Sequence, residues 1–420
     1  MTAPLKILHC TTFDVSFGAG IAAYRLHKAL IASGIDSRML VQEKAGDDDT
    51  VIGPGNIFTK MSTKFALLCD KLPLIRYGKI NYNNWNVNWF PRRIISRIKS
   101  ENPHIVHLHW IGNGFIPIEA LKYISVPIVW TFHDMWAFTG GCHYTLSCTR
   151  YKDACGMCPQ LHSQRDFDLS RRIWNRKNKH WKNIDFKIVA LNRWMIQSIA
   201  ESSLLKSRET RVIPNCLDLN VFKPFDKISA RKELGLPLQK KLILFGAIHS
   251  MSDTRKGYAY LRQTLRQVAG NPSMTDTELV VFGASYQQND TPDKLNTHYM
   301  GTLTEEKTIA LLYSAADVFI APSIQDNLPN TVLEATACGT PSVAFNIGGL
   351  PDLIEHRNTG YLAQPFSTDE LGNGIIWILE NDDRYRTLAR NAREKAVREF
   401  SPEIVAKKHI NLYNDILHHQ

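Results

Sequence analysis

Two acidic residues stand eight positions apart in the segment IAPSIQDNLPNTVLEATACG, residues 320–339. Asp326 falls in a predicted loop after an apolar run, and Glu334 falls in the second turn of the helix that follows. Backbone amides at the start of such a helix, around Asn330 and Thr331, suit a diphosphate. The helix carboxylate can accept hydrogen bonds from a ribose diol, and the loop carboxylate can reach a second polyol. The spacing therefore predicts a nucleotide-sugar ligand.

These residues need a scaffold, and the apolar pattern of the chain predicts one. Short apolar runs alternate with segments of helical spacing, such as IAAYRLHKALIASG at 21–34, which follows the glycine turn FGAG. Strands that alternate with helices predict parallel sheets covered on both faces, so the expected fold class is α/β. The predicted strands are LKILHCTT (5–12), SRMLVQ (37–42), HIVHLHW (104–110), PIVWTFHD (127–134), FKIVALN (186–192), KLILFGAI (241–248), TELVVFGA (277–284), DVFIAPS (317–323) and PSVAFN (341–346).

The strand pattern restarts in the second half of the chain, which predicts two doubly wound, Rossmann-like domains. The junction RVIPNCLDLNVFKPFDK contains two prolines and little periodicity. We predict a first domain at 1–220 with a cysteine-rich insertion at 141–161, a second domain at 221–400, and a helix at 401–420 that packs back on the first. Ligands of such sheets bind beyond the carboxyl ends of the strands, so chemistry is expected in a cleft between the domains.

Composition predicts a globular enzyme with a basic first half. The 420 residues are 44% hydrophobic, and the N-terminus MTAPLKILHCTTFDVSF lacks the apolar core of a secretory signal, so we expect a cytoplasmic protein. Residues 1–215 hold 29 Lys and Arg against 16 Asp and Glu, net +13, whereas residues 216–420 hold 21 against 24, net −3. The basic half suits an anionic partner, such as a membrane surface, a pyrophosphate-bearing lipid or nucleic acid, unless it is a scattered solvated surface.

Several stretches resemble the retaining glycosyltransferases with two Rossmann-like domains, called family four or glycosyl transferases group 1. They are the Asp326–Glu334 segment with the following ATACGTPSVAF, PNCLDLNVFKP at the junction, and RKG after the first strand of the second half. The resemblance runs from about residue 5 to residue 400. The segment TFHDMWAFTGGCHY is similar to bacterial members that build capsule, exopolysaccharide or O-antigen units.

The resemblance implies a GT-B fold, with an acceptor-side first domain and a donor-binding second domain. It implies retaining transfer of a sugar from a UDP- or GDP-sugar to a saccharide acceptor, without a catalytic metal or other cofactor. The acceptor is expected to be lipid-linked, which would place the enzyme at the inner face of the cytoplasmic membrane.

The resemblance also assigns roles to individual residues. Glu334 is expected to hold the donor ribose, and Asp326, where the family usually has Glu, is expected to contact the donor sugar. Lys256, helped by Arg255, is expected to neutralise the leaving diphosphate. His133 of TFHD is expected near the donor sugar, unless it only caps a strand end; His107 and His109 are weaker candidates. The catalytic candidates are His133, Asp326 and Lys256, and the donor-binding candidates are Gly18, Gly20, Arg255, Lys256, Asp326, Asn327, Leu328, Asn330, Thr331 and Glu334.

Four cysteines form a cluster with the spacing C-x5-C-x6-C-x2-C. They are Cys142, Cys148, Cys155 and Cys158. In a reducing compartment, four clustered thiolates predict a closed structural zinc site, with free thiols or disulfides as the alternative. A closed site leaves no open position for catalysis. The acidic triplet at 47–49 is predicted to be a solvated turn.

Two other protein classes share part of this pattern. A nucleic-acid-binding protein would account for the basic half and the cysteines, but it leaves the Asp326–Glu334 pair without a role. A nucleotide-sugar epimerase shares the fold and the donor, and fold alone does not decide function. We expect a transferase that does not bind nucleic acid, with the epimerase as the alternative.

Overall fold

A computed structural model describes residues 5–78, 80–81, 84–246, 253–283 and 295–418. The chain divides into two compact units, the first Met1–Asn215 with Val405–Gln420 and the second Cys216–Ile404. The division falls five residues before the predicted position because Leu217 already belongs to the second unit, where its amide donates to the Phe400 carbonyl oxygen at 3.0 Å. None of the helices in the described ranges has the length and apolar character that crossing a bilayer requires.

The first unit contains a seven-stranded sheet in which every pair of neighbours is parallel. The strand order is β3-β2-β1-β4-β5-β6-β7. The inner strands are almost entirely buried, as expected for a sheet covered on both faces, and they combine apolar residues with a few buried histidines and threonines. The strands are Lys6–Phe13 (β1), Asp36–Glu43 (β2), Val51–Ile52 (β3), Ile105–Leu108 (β4), Ile128–Phe132 (β5), Phe186–Ala190 (β6) and Thr210–Val212 (β7).

Helices connect these strands, and the last helix of the chain returns to this unit. Its Tyr413 and His409 lie against His107 of β4, with ring centroids 5.8 Å and 5.5 Å apart. The helices are Phe17–Ala32 (α1), Ile57–Ile75 (α2), Ile94–Ser100 (α3), Leu169–Trp181 (α4), Arg193–Glu201 (α5) and, at the end of the chain, Pro402–His418 (α13).

The second unit contains a six-stranded parallel sheet with the order β10-β9-β8-β11-β12-β13. The strands are Lys241–Gly246 (β8), Thr277–Phe282 (β9), Thr297–Tyr299 (β10), Val318–Ala321 (β11), Ser342–Phe345 (β12) and Gly360–Ala363 (β13). The helices are Lys227–Glu233 (α6), Tyr258–Gly270 (α7), Glu306–Ala315 (α8), Asn330–Ala337 (α9), Leu350–Leu353 (α10), Thr368–Leu379 (α11) and Asp382–Phe400 (α12).

Every predicted strand is present, and the α/β class is confirmed. The pattern missed β3, β7, β10 and β13, because these strands have only two to four residues and the edge strands β7 and β10 have no buried residue. Residues 247–248 and 284, which end two predicted strands, lie outside the described residues, as do residues 251–252 before Lys256.

Candidate functional site

The predicted site residues of the second unit lie where the strand order of its sheet reverses. The strands β9 and β10 continue on one side of β8, whereas β12 and β13 continue on the far side of β11. Loops that leave the carboxyl ends of two such neighbouring strands diverge, and α/β proteins bind ligands in the crevice between them. The short turn Thr254–Lys256 follows β8, and Asp326 follows β11. The structure therefore brings both segments to one edge of one sheet.

Asp326 is a buried carboxylate at the centre of a partly exposed charge cluster at this edge. Its Oδ2 accepts a hydrogen bond from Lys256 Nζ at 2.7 Å, and its Oδ1 lies 3.1 Å from Arg255 Nη1. Ser323 Oγ donates to Oδ2 at 3.3 Å, and the Asn327 amide donates to Oδ1 at 3.1 Å. Burial opposes ionisation, but Lys256 and Arg255 outweigh it and lower the pKa of Asp326 to about 2. Asp326 is therefore an anion at neutral pH and holds two cations beside it.

Two glycines let the backbone approach closely enough to build this cluster. Gly257 has a φ of +73°, and a Cβ there would lie 1.9 Å from the Pro322 carbonyl oxygen. Gly348 has a φ of +56°, and a Cβ there would lie 2.2 Å from the Asp326 carbonyl oxygen. A side chain at either position would strain the backbone and push the loops apart. Gly257 is part of the RKG motif in the sequence, whereas Gly348 was not predicted, although the glycine pair in NIGG at 346–349 is its signal.

The helix α9 begins at Asn330 and carries Glu334 in its second turn, as predicted. Glu334 is 8% exposed, and its carboxylate accepts a hydrogen bond from the Tyr313 hydroxyl of α8 at 3.2 Å. This contact orients the carboxylate. Of the remaining predicted donor-binding residues in this segment, Asn327 and Leu328 are buried, and Asn330 and Thr331 are partly exposed.

The glycines predicted to form a loop in the first unit lie inside a helix. Gly18 and Gly20 belong to the first turn of α1, which begins at Phe17 rather than Ile21. A Cβ on the buried Gly20 would lie 2.7 Å from the Asp14 carbonyl oxygen, so Gly20 allows α1 to pack against the end of β1. Gly18 is exposed at the helix N-terminus, where backbone amides suit an anion. The loop prediction is wrong, and the donor-binding role of the two glycines stays a prediction.

His133 follows β5 and contacts a second histidine. It is partly exposed, and its Nε2 lies 3.1 Å from His109 Nδ1. Burial lowers the pKa of His133 to about 4, so the imidazole is neutral at neutral pH. His109 was a weaker candidate in the sequence, and the structure places it directly behind His133. A neutral imidazole at this position can donate or accept one hydrogen bond toward a ligand.

Three buried histidines are the one group of described His, Cys, Asp and Glu residues whose ligand atoms all lie within 4.8 Å of one another. They are His9, His107 and His109. Both ring nitrogens of His107 already bond hydroxyl groups, Tyr413 at 2.6 Å and Thr131 at 2.8 Å. His9 Nδ1 and His109 Nε2 are 2.9 Å apart and bond each other. This donor set therefore fits a hydrogen-bonded network better than a metal ion.

The four clustered cysteines are free thiols. The Gly140 amide donates to the sulfur of Cys155, and the amides of Gln160 and Leu161 donate to the sulfur of Cys158. Burial raises the pKa of Cys155 to about 12 and the pKa of Cys158 to about 11, despite these hydrogen bonds. The four sulfurs are not grouped as closely as the histidine nitrogens. Zinc at Cys142, Cys148, Cys155 and Cys158 stays a prediction.

The acidic triplet Asp47–Asp49 forms a structural turn. Asp47 and Asp49 are exposed, in agreement with a solvated turn. Asp48 accepts hydrogen bonds from the Tyr24 hydroxyl at 2.9 Å, Lys28 Nζ at 2.9 Å and the Thr50 amide at 2.8 Å. Burial opposes ionisation, but hydrogen bonds from the Thr50 hydroxyl, Lys28, the Thr50 amide and Tyr24 lower the pKa of Asp48 well below its usual range. Asp48 thus ties α1 to the start of β3.

Comparison with known proteins finds relatives for both units. Residues 239–381 match the family Glycosyl transferases group 1, and residues 18–221 match the Glycosyltransferase Family 4. The chain is 24% identical over 221 residues to N-acetyl-alpha-D-glucosaminyl L-malate synthase of Bacillus anthracis, which is 50% of this chain and 55% of that protein. It is 26% identical over 215 residues to UDP-Gal:alpha-D-GlcNAc-diphosphoundecaprenol alpha-1,3-galactosyltransferase of Escherichia coli, which is 49% of this chain and 54% of that protein. The chain thus spans about half the length of the curated relatives it matches.

Solved structures extend the likeness to the whole chain. The chain is similar to the sucrose-phosphate synthase of Thermosynechococcus elongatus, with a TM-score of 0.71 and 20% identity over 99% of this chain and 100% of that one. Identity at this level establishes the fold and not the substrate. The two-domain GT-B fold predicted from the sequence is confirmed.

Proposed function

Because this chain belongs to the group 1 glycosyltransferases of the GT-B fold, we propose that it moves a sugar from a UDP- or GDP-sugar to a saccharide acceptor. We further propose that transfer retains the anomeric configuration and uses no catalytic metal. The matches to glycosyltransferases give no support to the epimerase alternative. The observation that carries the proposal is the pair of cations, Lys256 and Arg255, held against Asp326, which precedes the start of α9 in the same loop.

The donor fits the second unit in three parts. Its diphosphate meets the first turn of α9, where backbone amides and the helix dipole favour an anion. Its ribose meets the Glu334 carboxylate, which Tyr313 orients. Its sugar meets the loop that carries Asp326. The Escherichia coli relative uses UDP-Gal according to its name, which supports a nucleotide-diphosphate donor.

The reaction places negative charge on the departing diphosphate, and two fixed cations stabilise that charge. Lys256 and Arg255 are held in place before the donor arrives, so no reorganisation is needed as the charge develops. The acceptor oxygen bonds the anomeric carbon as the bond from that carbon to the diphosphate breaks. The hydroxyl proton passes to the diphosphate oxygen. Attack from the side of the leaving group retains the configuration, and this route needs no carboxylate nucleophile.

The ion pairs of Asp326 also support transfer without a carboxylate nucleophile. Both of its carboxylate oxygens face cations, which lowers its nucleophilicity. Asp326 is therefore assigned two tasks: it keeps Lys256 and Arg255 in position, and it borders the donor sugar. The Asp326 side chain is shorter than the Glu usual in the family, and this difference affects which donor sugar the enzyme accepts.

A transfer assay tests this function. The full-length chain is incubated with UDP- and GDP-sugars and polyprenyl-diphosphate-linked saccharides, and products are read by mass spectrometry. We expect transfer, with a rate that falls about 100-fold or more in Lys256→Met because the leaving group loses its fixed charge. Lys240→Met is the matched control, because Lys240 pairs with the exposed Asp276, away from the Asp326 cluster. A donor sugar that is isomerised without transfer would overturn the proposal.

The proposed lipid-linked acceptor requires a membrane surface, and α2 offers a face that suits one. Seven large apolar residues of α2 are between 53% and 77% exposed; they are Ile57, Phe58, Met61, Phe65, Leu68, Leu72 and Ile75. Six of them are spaced three or four residues apart, and Phe58 falls within the same arc, so they form one stripe along the helix. Lys60, Lys64 and Lys71 lie along one flank of the stripe.

An apolar stripe with a basic flank matches an anionic bilayer, where the apolar side chains enter the interface and the lysines meet the headgroups. The net charge of +13 on residues 1–215 acts in the same direction. We therefore propose that the enzyme works as a peripheral protein on the inner face of the cytoplasmic membrane.

Vesicle co-sedimentation tests the membrane surface. Binding to phosphatidylglycerol vesicles is expected to exceed binding to phosphatidylcholine vesicles, and Phe58→Ser with Leu68→Ser is expected to abolish it. Phe167→Ser is the control, because Phe167 is 68% exposed but lies outside α2. Vesicle binding by the double variant equal to that of the wild type would contradict the assignment. A dimer in sedimentation velocity that is formed through the stripe would contradict it as well.

A further inference from the structure

Three histidines form a hydrogen-bonded chain where the strand order of the first sheet reverses, between β1 and β4. His9 lies in β1, His109 follows β4 and His133 follows β5. His9 Nδ1 lies 2.9 Å from His109 Nε2, and His109 Nδ1 lies 3.1 Å from His133 Nε2. His9 and His109 are 0% and 3% exposed, whereas His133 is partly exposed. This row of hydrogen-bonded histidines therefore leads from the core of the sheet to the candidate catalytic histidine.

All three imidazoles are neutral at neutral pH. Burial lowers the pKa of His133 to about 4, and it lowers the pKa values of His9 and His109 well below their usual range. A neutral imidazole carries one N–H and one bare nitrogen. A chain of three therefore has two possible polarities. Either every Nδ1 carries the proton and the hydrogen bonds run from His9 toward His133, or every Nε2 carries it and they run the other way.

The inner end of the chain distinguishes the two polarities. Among the residues that the structure describes, His9 Nε2 has no hydrogen-bond partner. With the second polarity this atom would be a buried N–H without an acceptor, an arrangement that folded proteins avoid more strictly than an unused acceptor. With the first polarity it is a bare ring nitrogen. The inner end therefore favours a proton on every Nδ1.

His409 of α13 provides an independent example of the same arrangement. Its Nδ1 lies 3.0 Å from the Val405 carbonyl oxygen, which can only accept a hydrogen bond, so this Nδ1 carries the proton. Its Nε2 is buried without a partner in the described part of the chain. The core of this unit thus accommodates a bare Nε2 at a second histidine whose tautomer is fixed by its partner.

We propose that His9 and His109 are positioning residues that hold His133 as the Nδ1–H tautomer. His133 then presents a hydrogen-bond donor, and not a base, at the edge of the first sheet. The inference rests on the proposed function only for the identity of what His133 meets, the donor sugar. A sugar hydroxyl or ring oxygen offers lone pairs to such a donor. The His133 imidazole also stays uncharged throughout the reaction.

Nitrogen spectroscopy tests the tautomers directly. The full-length chain, labelled with ¹⁵N at histidine, is observed in long-range ¹H–¹⁵N correlation spectra, which distinguish a protonated ring nitrogen from a bare one. The expected result is a protonated Nδ1 and a bare Nε2 at His9, His109 and His133. A protonated Nε2 at His133 would overturn the proposal without any variant being made. Metal binding would overturn the proposal as well. It would be seen as a zinc or cobalt ion that shifts the resonances of these nitrogens, binds the wild type at one equivalent and is lost in His9→Phe.

Substitutions at position 109 test whether the chain positions His133. In His109→Phe the Nδ1–H donor to His133 is lost, so the two tautomers of His133 are expected to mix. The kcat for transfer is expected to fall about tenfold, the effect of one lost hydrogen bond, with the KM for the donor little changed. His109→Gln is the conservative variant, because a carboxamide can accept from His9 and donate to His133; it is expected to restore the tautomer and most of the kcat.

His409→Phe is the matched control, because His409 is equally buried but does not belong to the row of hydrogen-bonded histidines His9, His109 and His133. It is expected to leave the His133 spectrum unchanged. If His109→Phe leaves the His133 tautomer intact, the positioning role is overturned. If the tautomers are as proposed but His133→Ala transfers sugar at the normal rate, the role of His133 in the reaction fails while the tautomer assignment stands.

Discussion

Replacing Asp326 by asparagine removes the anion at the centre of the charge cluster while keeping the shape of the side chain. Asp326 is 5% exposed, and its oxygens lie 2.7 Å from Lys256 Nζ and 3.1 Å from Arg255 Nη1. The cations lower the pKa of Asp326 from 3.8 to about 2, which corresponds to about 2 kcal/mol of favourable interaction. Breaking a buried ion pair from one side costs about 3 to 5 kcal/mol in other proteins. We therefore expect Asp326→Asn to lower the free energy of unfolding of the second unit by about 2 to 4 kcal/mol at pH 7.

The pH dependence has a defined sign. Because the pKa of Asp326 is lower in the folded chain than in the unfolded chain, its stabilisation is present above about pH 4 and is lost as the pH falls through about 2. The difference between the wild type and Asp326→Asn is thus expected to be constant near neutral pH and to shrink below pH 4. Hydrogen exchange in denaturant, read by mass spectrometry on peptides of β11 and α9, gives the unfolding free energy of this unit separately from the first.

A matched variant separates stability from function. Asp317 is held by a similar pair of cations, Lys227 at 2.6 Å and Arg231 at 2.7 Å, but it lies at the amino end of β11. Asp317→Asn is expected to lower stability and leave transfer unchanged. Asp326→Asn is expected to slow transfer about tenfold or more and to retain UDP binding, because Lys256, released from the carboxylate, still attracts the diphosphate, while Arg255 keeps its ion pair with Asp253 at 3.0 Å. If the unfolding free energy of Asp326→Asn lies within about 0.5 kcal/mol of the wild-type value, the ion pairs of Asp326 do not stabilise the second unit.

Three further results are expected. Glu334→Gln is expected to weaken binding of the nucleotide-sugar donor about tenfold or more in calorimetry, because a charged acceptor for the ribose hydroxyls is lost; undiminished affinity in a folded variant would remove this assignment. Gly257→Ala is expected to weaken UDP binding and stability together, since the new Cβ would lie 1.9 Å from the Pro322 carbonyl oxygen; a crystal structure with Lys256 unmoved would contradict this. We propose that the purified chain carries about one zinc per molecule at its clustered cysteines, measured by elemental analysis; four titratable thiols and no metal would exclude the site.

The fold was predictable because its strands and helices follow from the local spacing of apolar residues. Buried apolar runs such as that of β8 alternate with amphipathic helices, and this periodicity needs no knowledge of distant contacts. The start of α9 and the position of Glu334 in its second turn also follow from a short segment. The first turn of α1 was misread because its glycines are typical of turns. Here Gly20 is required by close packing against the Asp14 carbonyl oxygen, which no local pattern expresses.

The contacts within the site were less predictable, because they join residues far apart in sequence. Lys256 and Asp326 are 70 residues apart, and His9 and His109 are 100 residues apart. Their meeting depends on β11 lying beside β8 and on β4 lying beside β1, and strand order does not follow from periodicity. The sequence identified Lys256 and Asp326 as candidates for separate tasks. Only the structure joins them in one ion pair.

The stereochemistry of transfer tests the central proposal most directly. The full-length enzyme is given an α-linked nucleotide sugar and its acceptor in the presence of a chelator, and the anomeric coupling of the product is read by NMR. With Lys256 and Arg255 as the cations at the leaving diphosphate, we expect an α-linked product formed at an unchanged rate. A β-linked product, or loss of transfer to the chelator in a chain that stays folded, would contradict it.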